Sequence, residues 1–401
     1  MESISRIELD ALLDEATHPD PARAQAGSRA LFAGVVEPLA DRFEPLLCPV
    51  YAELFSRAIE RVIPQLKAAT LMERYRRIRR PRPCLGDAAL VFVLSRVTLG
   101  ADVAITSVIL DAVKRRFPDA RIVFAGPQKA WELFETDPRL TWLPVDYGRD
   151  QTLAGRLGVW PALERELSQP HSIVVDPDSR LTQLGLLPVC PEASYHFFES
   201  RSYGGDGGES LPALTRRWVG EVFGVDDARP YIAPREAPEQ GPRIAISLGV
   251  GENSAKRVAD PFEEELVRGL LGLGAALLID RGAGGEERER VDRAIARSGA
   301  APGRIETWDG AFAPFAARIA RSRLYVGYDS AGQHVAAACG VPLLSVFRGF
   351  VSERMFARWR PAGRGPIQVV RADRGEPRAL LAGVLSAAGR LGASPTRQPS
   401  V

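Results

Sequence analysis

Short, uninterrupted apolar runs, each followed by a polar or glycine-containing turn and then a helix-spaced stretch, recur through most of this chain. The first is Ala89-Leu90-Val91-Phe92-Val93-Leu94, which runs through Ser95–Asp102 into a predicted helix from Val103 to Arg116, stopped at Phe117-Pro118. Arg121–Ala125, Leu140–Val145 and Ser172–Val175 read as further strands, with a helix predicted from Lys129 to Glu135. Runs that are apolar on both faces belong to parallel sheets covered on both sides. A second series opens with Arg243–Leu248 and continues with a helix from Pro261 to Leu273, a strand from Ala276 to Ile279 and a helix from Glu286 to Arg297. It ends in the strand Leu324–Gly327, the turn Tyr328–Gly332, a small-residue helix Gln333–Cys339 and the strand Val341–Phe347. Asp329 or Ser330 is suited to cap that helix. Two successive series of alternating strands and helices predict two doubly wound α/β domains.

Residues 1–83 have a different period. Ile7, Leu9, Leu12 and Leu13, then Phe32–Leu47 and Tyr51–Leu66, repeat at helical spacing, with a break at Thr17–Pro21. The basic run Glu73–Arg80 closes this region and reads as a solvated helix end. The Pro-rich segment Ala228–Pro242 marks the domain boundary, and Tyr203–Gly208 reads as a flexible surface loop. The expected organisation is a helical extension over 1–83, α/β domains over 84–227 and 243–391 joined by a linker at 228–242, and a disordered tail from 392 to 401.

Composition narrows the function classes. The 401 residues carry a net charge of +2, so the overall balance points to neither nucleic acid nor an anionic membrane. Cys48, Cys84, Cys190 and Cys339 are far apart and form no CxxC pair, which argues against zinc and disulfides and for a reducing, cytoplasmic setting. The N-terminus lacks signal-peptide character and no apolar run is long enough to span a bilayer. Of 52 basic residues only Lys67, Lys114, Lys129 and Lys256 are lysine, which draws attention to Lys256 in a loop after a strand.

The turn Tyr328-Asp329-Ser330-Ala331-Gly332 places unpaired amides at a helix start, an arrangement that attracts phosphate. Together with its helix and the entry to the next strand, DSAGQHVAAACGVP resembles the nucleotide-diphosphate motif of glycosyltransferase family 9, the bacterial heptosyltransferases. Asp329, Ser330, His334, Ala336, Ala337, Gly340, Val341 and Pro342 fit that pattern, while Tyr328 stands where Asn is frequent and Ala331 where Gly is usual. The similarity covers roughly residues 88–370 and implies a GT-B fold: two facing Rossmann-like domains, here with a helical N-terminal extension that lies outside the resemblance. It also implies a role for Asp102, whose segment Thr98–Thr106 is similar to the family's Gly-Asp-Val segment. There the Asp is the proposed base that takes the acceptor's proton; Ala101 replaces the usual Gly. In the same way Lys256, in a loop ending Lys256-Arg257, would hold the donor's phosphates and stabilise the charge that develops on the leaving group.

Further donor-binding candidates are the amides of Ser330, Ala331 and Gly332, with Asp329 and His334 beside them. The resemblance also brings in Glu286 or Glu287 as the acid that bonds the ribose hydroxyls. Asp178, Arg180 and Arg201 sit at a strand-end loop on the acceptor side. Leu248-Gly249-Val250-Gly251 lacks the third glycine of a dinucleotide fingerprint, since Ser254 stands there. The implied function is an inverting, metal-independent glycosyltransferase. It would need no cofactor beyond a nucleoside-diphosphate sugar, ADP-linked and with heptose a candidate sugar. The acceptor would be a glycan, lipid-linked or small-molecule hydroxyl, and peripheral membrane contact stays open. Two alternatives stand: a nucleotide-sugar or carbohydrate-binding protein of the same fold, and an epimerase on the same architecture.

Overall fold

The computed structural model describes residues 6–148, 151–236, 243–251, 253–282, 284–373 and 377–393. Two parallel sheets organise these residues. The first pairs β1 (Leu90–Leu94), β2 (Arg121–Gly126), β3 (Leu140–Pro144), β4 (Ser172–Asp176) and β5 (Tyr195–Phe197) in the order β3-β2-β1-β4-β5. The second pairs β6 (Ile244–Ser247), β7 (Leu277–Asp280), β8 (Ile305–Trp308), β9 (Leu324–Tyr328), β10 (Leu343–Phe347) and β11 (Ile367–Arg371) in the order β11-β10-β9-β6-β7-β8. In each sheet the first strand lies between neighbours reached in opposite directions, β2 and β4 around β1, β7 and β9 around β6. A crevice opens at the carboxyl ends of such a strand pair, and ligands of doubly wound sheets bind there. The two-domain α/β architecture expected from the sequence is therefore present.

Alternation along β1 explains the extension. Val91 and Val93 point to a core shared with helix Ser107–Arg116 and helix Leu211–Phe223. Phe92 and Leu94 point to the opposite face, where they meet Leu31, Val36, Phe55, Ile59 and Ile78 of the N-terminal helices. Helices Arg6–Ala16, Pro21–Leu31, Leu47–Val62 and Ala68–Ile78 thus cover one face of the first sheet together with Trp160 and Leu163. The basic run is a solvated helix end only in part: Glu73, Arg76, Arg77 and Arg80 are exposed, but Arg74 is buried and Arg79 half-buried. Arg74 stacks 4.5 Å over the Tyr195 ring and donates to the Gly185 carbonyl, Arg77 pairs with Glu192 at 3.0 Å, and Arg79 pairs with Glu199 at 2.6 Å. These arginines fasten the extension to the first domain.

Other expectations shift. The helix expected at Val103–Arg116 begins at Leu99 and contains a π-bulge over Asp102–Thr106. The one expected at Lys129–Glu135 shrinks to Gln128–Trp131, because tight turns then send the fully buried Leu133 and Phe134 both into the core. Tyr203–Gly208 is pinned: the buried Arg358 guanidinium donates to the Glu209 carbonyl at 2.7 Å and to that of Gly205 at 2.9 Å. The start of the Pro-rich segment is strapped to the first domain, with the Arg229 amide donating to Asp111 and the Tyr231 amide to Ser107. Its residues 237–242 lie outside the described residues. Helix Pro377–Ala393 takes in Gly392 and Ala393, where the tail was expected to begin, and 394–401 lie outside the described residues. No helix among the described residues is long and apolar enough to cross a membrane.

Candidate active site

The carboxyl ends of β1 and β4 on one side, and of β6 and β9 on the other, border a single cavity of about 370 Å³. From the second domain come Lys256, Asp329, Ser330, Ala331, His334 and Trp359. The strand β9 ends at Tyr328, and helix Ala331–Ala338 starts two residues before the sequence pattern placed it. Ser330 occupies the N-cap position with extended backbone and makes no side-chain cap bond, which leaves the first-turn amides to a ligand. Gly332 is required here, since a Cβ would collide with the Tyr325 hydroxyl.

Lys256 Nζ lies 2.9 Å from Asp329 Oδ2 and 3.3 Å from the Asp329 carbonyl, so the two candidates form one partly buried pair. Gln333 holds the other carboxylate oxygen of Asp329 at 2.6 Å and is fixed in turn by Ser345. The departure at Tyr328 has a structural use. Its buried hydroxyl accepts from the Val258 amide at 3.2 Å and donates to Glu263 at 3.1 Å, fixing the loop that carries Lys256. His334 is buried against the Trp359 ring, and burial pulls its pKa down to about 4, Lys256 adding to the fall and Asp329 opposing it. It is a neutral imidazole at neutral pH.

The first domain contributes a basic wall. Asp178 sits in the left-handed backbone region at φ 70°, and its buried carboxylate pairs with Arg201 at 2.5 Å and Arg96 at 3.6 Å, while Ser200 donates to it at 2.9 Å. Burial lowers the Arg96 pKa to about 10, helped by Arg201 and opposed by Asp178. Arg180 borders the same space and approaches Asp41 at 4.0 Å. Arg156 lies 3.7 Å from the Phe32 ring centre. Phe32, Glu37, Asp41 and Phe43 all belong to the N-terminal extension, which therefore forms part of the cavity wall.

Two halves meet where Gly100 faces helix Ala331–Ala338. A Cβ on Gly100 would lie 3.3 Å from the Ala331 Cα and 3.4 Å from His334 Cδ2. The missing side chain of Gly100 permits a close approach at a point where the sequence pattern has Ala331 in place of glycine.

Asp102 is not brought into this wall. It is 0% exposed, and its carboxylate accepts from Ser95 Oγ at 2.8 Å, the Arg96 amide at 2.7 Å and Thr106 Oγ1 at 2.8 Å. Burial raises its pKa to about 6 against the lowering effect of these bonds. In this arrangement Asp102 ties the turn after β1 to the π-bulge. Glu286 and Glu287 also lie outside the cavity. Glu286 is exposed, whereas the half-buried Glu287 folds over Gly249 and Gly282 at the ends of β6 and β7, where a Cβ on either glycine would strike its carboxyl. Of the two, Glu287 occupies the crevice. Among the described residues no three His, Cys, Asp or Glu side chains converge as a metal site.

Sequence reasoning missed Arg96, Arg156, Glu37, Phe43 and Trp359. They come from segments far apart in the chain with no shared motif; only the folded extension brings Glu37 and Phe43 near.

The architecture has solved counterparts. The chain is similar to a glycosyl transferase family 9 protein from Veillonella parvula DSM 2008, with a TM-score of 0.56 at 16% identity over 77% of this chain and 98% of that one. It is likewise similar to the E. coli heptosyltransferase WaaC with ADP, at a TM-score of 0.56 and 15% identity over 75% of this chain and 100% of that one. The fold is GT-B. E. coli ADP-heptose lps heptosyltransferase II gives a TM-score of 0.50 at 17% identity over 75% of this chain and 98% of that one. No family model and no curated protein matches the chain by sequence.

Proposed function

We propose that this protein is a cytoplasmic, inverting, metal-independent glycosyltransferase that moves a sugar from a nucleoside-diphosphate donor, ADP-linked and with heptose the candidate sugar, to an acceptor hydroxyl. The observation that carries this reading is the meeting of two sheet crevices at one cavity. A lysine and an uncapped helix start lie on one side, and a wall of arginines on the other. The diphosphate would rest on the amides of Ser330, Ala331 and Gly332, and Lys256 would turn from Asp329 to the leaving phosphate. Charge grows on that phosphate as the sugar bond breaks, so a fixed ammonium lowers the barrier more than it strengthens ground-state binding. Neutral His334 suits a hydrogen bond to phosphate or sugar, and Glu287 is the better placed acid for the ribose. Asp178 fixes Arg96 and Arg201 on the acceptor side, where Arg180 also faces the cavity. Asp102 Oδ1 accepts two hydrogen bonds and Oδ2 one, so Asp102 could act as base through Oδ2 only if the turn after β1 opened a path to its buried carboxylate.

Thermal unfolding with a panel of nucleoside-diphosphate sugars tests the donor half. ADP-linked donors should raise Tm, and Lys256→Ala should shrink the rise, with a loss of about 2 kcal/mol in binding from one charge-assisted contact. No rise with any donor at saturating concentration would refute the reading. The burial of Asp102 favours one second reading, a binding protein of this fold, which would give the same Tm rise without transfer.

A further inference from the structure

Four acidic residues line the cavity: Glu37, Asp41, Asp178 and Asp329. Three are held by cations. Asp329 is paired with Lys256 at 2.9 Å, Asp178 with Arg201 at 2.5 Å, and Asp41 lies 4.0 Å from Arg180. Glu37 is exposed and lines the cavity, and among the described residues its side chain has neither a hydrogen bond nor an ion pair. The carboxylate of Asp102 is sealed beneath Ser95, Arg96 and Thr106.

The segment bearing Glu37 is built into the site from both sides. It leaves helix Pro21–Leu31 by a π-turn over Phe32–Val36 and continues as the short helix Glu37–Asp41. At its start Phe32 lies under Arg156 of the basic wall. At its end Phe43, buried at φ 57°, meets the Trp359 ring edge-on at 5.6 Å, and Trp359 in turn packs on His334 at 5.8 Å. Arg354 donates to the Phe43 carbonyl, and Ser352 to that of Arg42 at 3.5 Å. Residues 32–43 thus run from Arg156 of the basic wall to Trp359, which packs on the helix start, and Glu37 stands midway along the chain between those two anchors.

We propose that the N-terminal extension completes the active site and that Glu37 is its catalytic base. This rests on the glycosyltransferase reading of the cavity. The acceptor oxygen forms a bond to the anomeric carbon, the bond from that carbon to the phosphate oxygen breaks, and the nucleoside diphosphate leaves with the electron pair. The Glu37 carboxylate takes the hydroxyl proton as the new bond forms. The protein therefore uses a carboxylate from outside the two Rossmann-like domains, and removing the extension removes the base along with the wall.

The test uses the full chain, the nucleoside-diphosphate sugar that raises its Tm, and release of nucleoside diphosphate as readout. Glycerol and simple methyl glycosides serve as hydroxyl acceptors, water as the floor, and azide as an anionic nucleophile that has no proton to lose. Glu37→Gln and Glu37→Ala should keep the donor-dependent Tm rise and lose about a hundredfold or more in release to hydroxyl acceptors and water. Azide should restore release in Glu37→Ala. Asp41→Asn and Asp102→Asn should lose far less. Near-wild-type release by Glu37→Gln overturns the proposal, as does an equal loss with azide or a loss confined to Asp102→Asn. A wild type that binds donor yet releases no nucleoside diphosphate also overturns it. Absence of any donor-dependent Tm rise in the wild type is a different result, which defeats the underlying glycosyltransferase reading.

Discussion

The two crevices that meet at the cavity are made in opposite ways. The crevice of the second domain, proposed as the donor side, is built locally. One strand, one turn and one helix start, all between Leu324 and Ala338, supply its backbone, and only Lys256 is brought in from another loop. The crevice of the first domain, proposed as the acceptor side, is assembled from side chains of many segments, among them Phe32–Phe43, Arg96, Arg156, Asp178 and Arg201. Backbone amides need no side-chain chemistry to present a positive end, whereas a wall of arginines must be neutralised and oriented. That is the service Asp178 performs. The first crevice therefore tolerates side-chain change as long as the turn survives, and the second depends on its buried charges balancing.

The sharpest way to break this contrast is Asp178→Ala. The substitution leaves Arg96 and Arg201 facing each other without their shared carboxylate, both of them buried. Breaking a buried pair from one side costs about 3–5 kcal/mol. Denaturant unfolding should show a loss of that order, and Asp178→Asn, which also tolerates the positive φ, should show a smaller one. A loss below about 1 kcal/mol would mean that the acceptor wall is solvated and that its charges are not structurally balanced.

pH gives the next largest effect and separates the halves. His334 on the donor side and His196 on the first domain are both pulled down to about 4 by burial. For each, the unfolded chain binds a proton near pH 6.5 while the folded one does not until about 4. Stability is therefore fully present above about 6.5 and is lost as pH falls towards about 4, by about 3 kcal/mol per histidine. His334→Phe should remove its share of that slope, and so should His196→Phe. Only the His334 share should shrink when nucleoside diphosphate is added, because phosphate beside the ring would favour its charged form. An equal response of both would show that the nucleotide does not sit next to His334.

These contrasts account for what was legible in the chain. The donor crevice could be read because its residues are contiguous and its apolar runs are buried on both faces, so strand, turn and helix follow from pattern alone. The edge strands Ile305–Trp308 and Ile367–Arg371 escaped because edge positions relax the apolar pattern, β11 being only half-buried throughout, and Tyr195–Phe197, though buried, is three residues long and too short to show a period. The extension was legible as helices but not as a wall, since helical spacing shows that a face is buried and not what it is buried against. Asp102 shows the limit from the other side. Its segment placed it correctly after β1, yet whether a carboxylate faces the cleft or its own turn depends on Ser95 and Thr106, neither of which marks the motif. Glu286 and Glu287 were indistinguishable until Gly249 and Gly282 showed which one the crevice accommodates.

The smallest expected effect falls where the two crevices touch. Gly100 lies in the first turn of its helix, so Ala there gains about 0.5–1 kcal/mol of backbone entropy. The new methyl would stand 3.3 Å from the Ala331 Cα and 3.4 Å from His334 Cδ2, tight enough that one half must give by a few tenths of an ångström. Overpacking of this kind costs about 1–3 kcal/mol, so the net loss in stability should stay below about 2.5 kcal/mol. The strain, however, is not spread evenly. On the Gly100 side the backbone is held by the Asp102 carboxylate, and on the other Ala331 opens a helix whose first turn makes no side-chain cap bond. The donor helix start should yield first. Hydrogen exchange on Gly100→Ala should therefore quicken at Ala331–His334 more than at Asp102–Thr106, and donor affinity should fall more than stability does. Faster exchange at Asp102–Thr106 instead would make the acceptor crevice the softer of the two and reverse the contrast drawn from their construction.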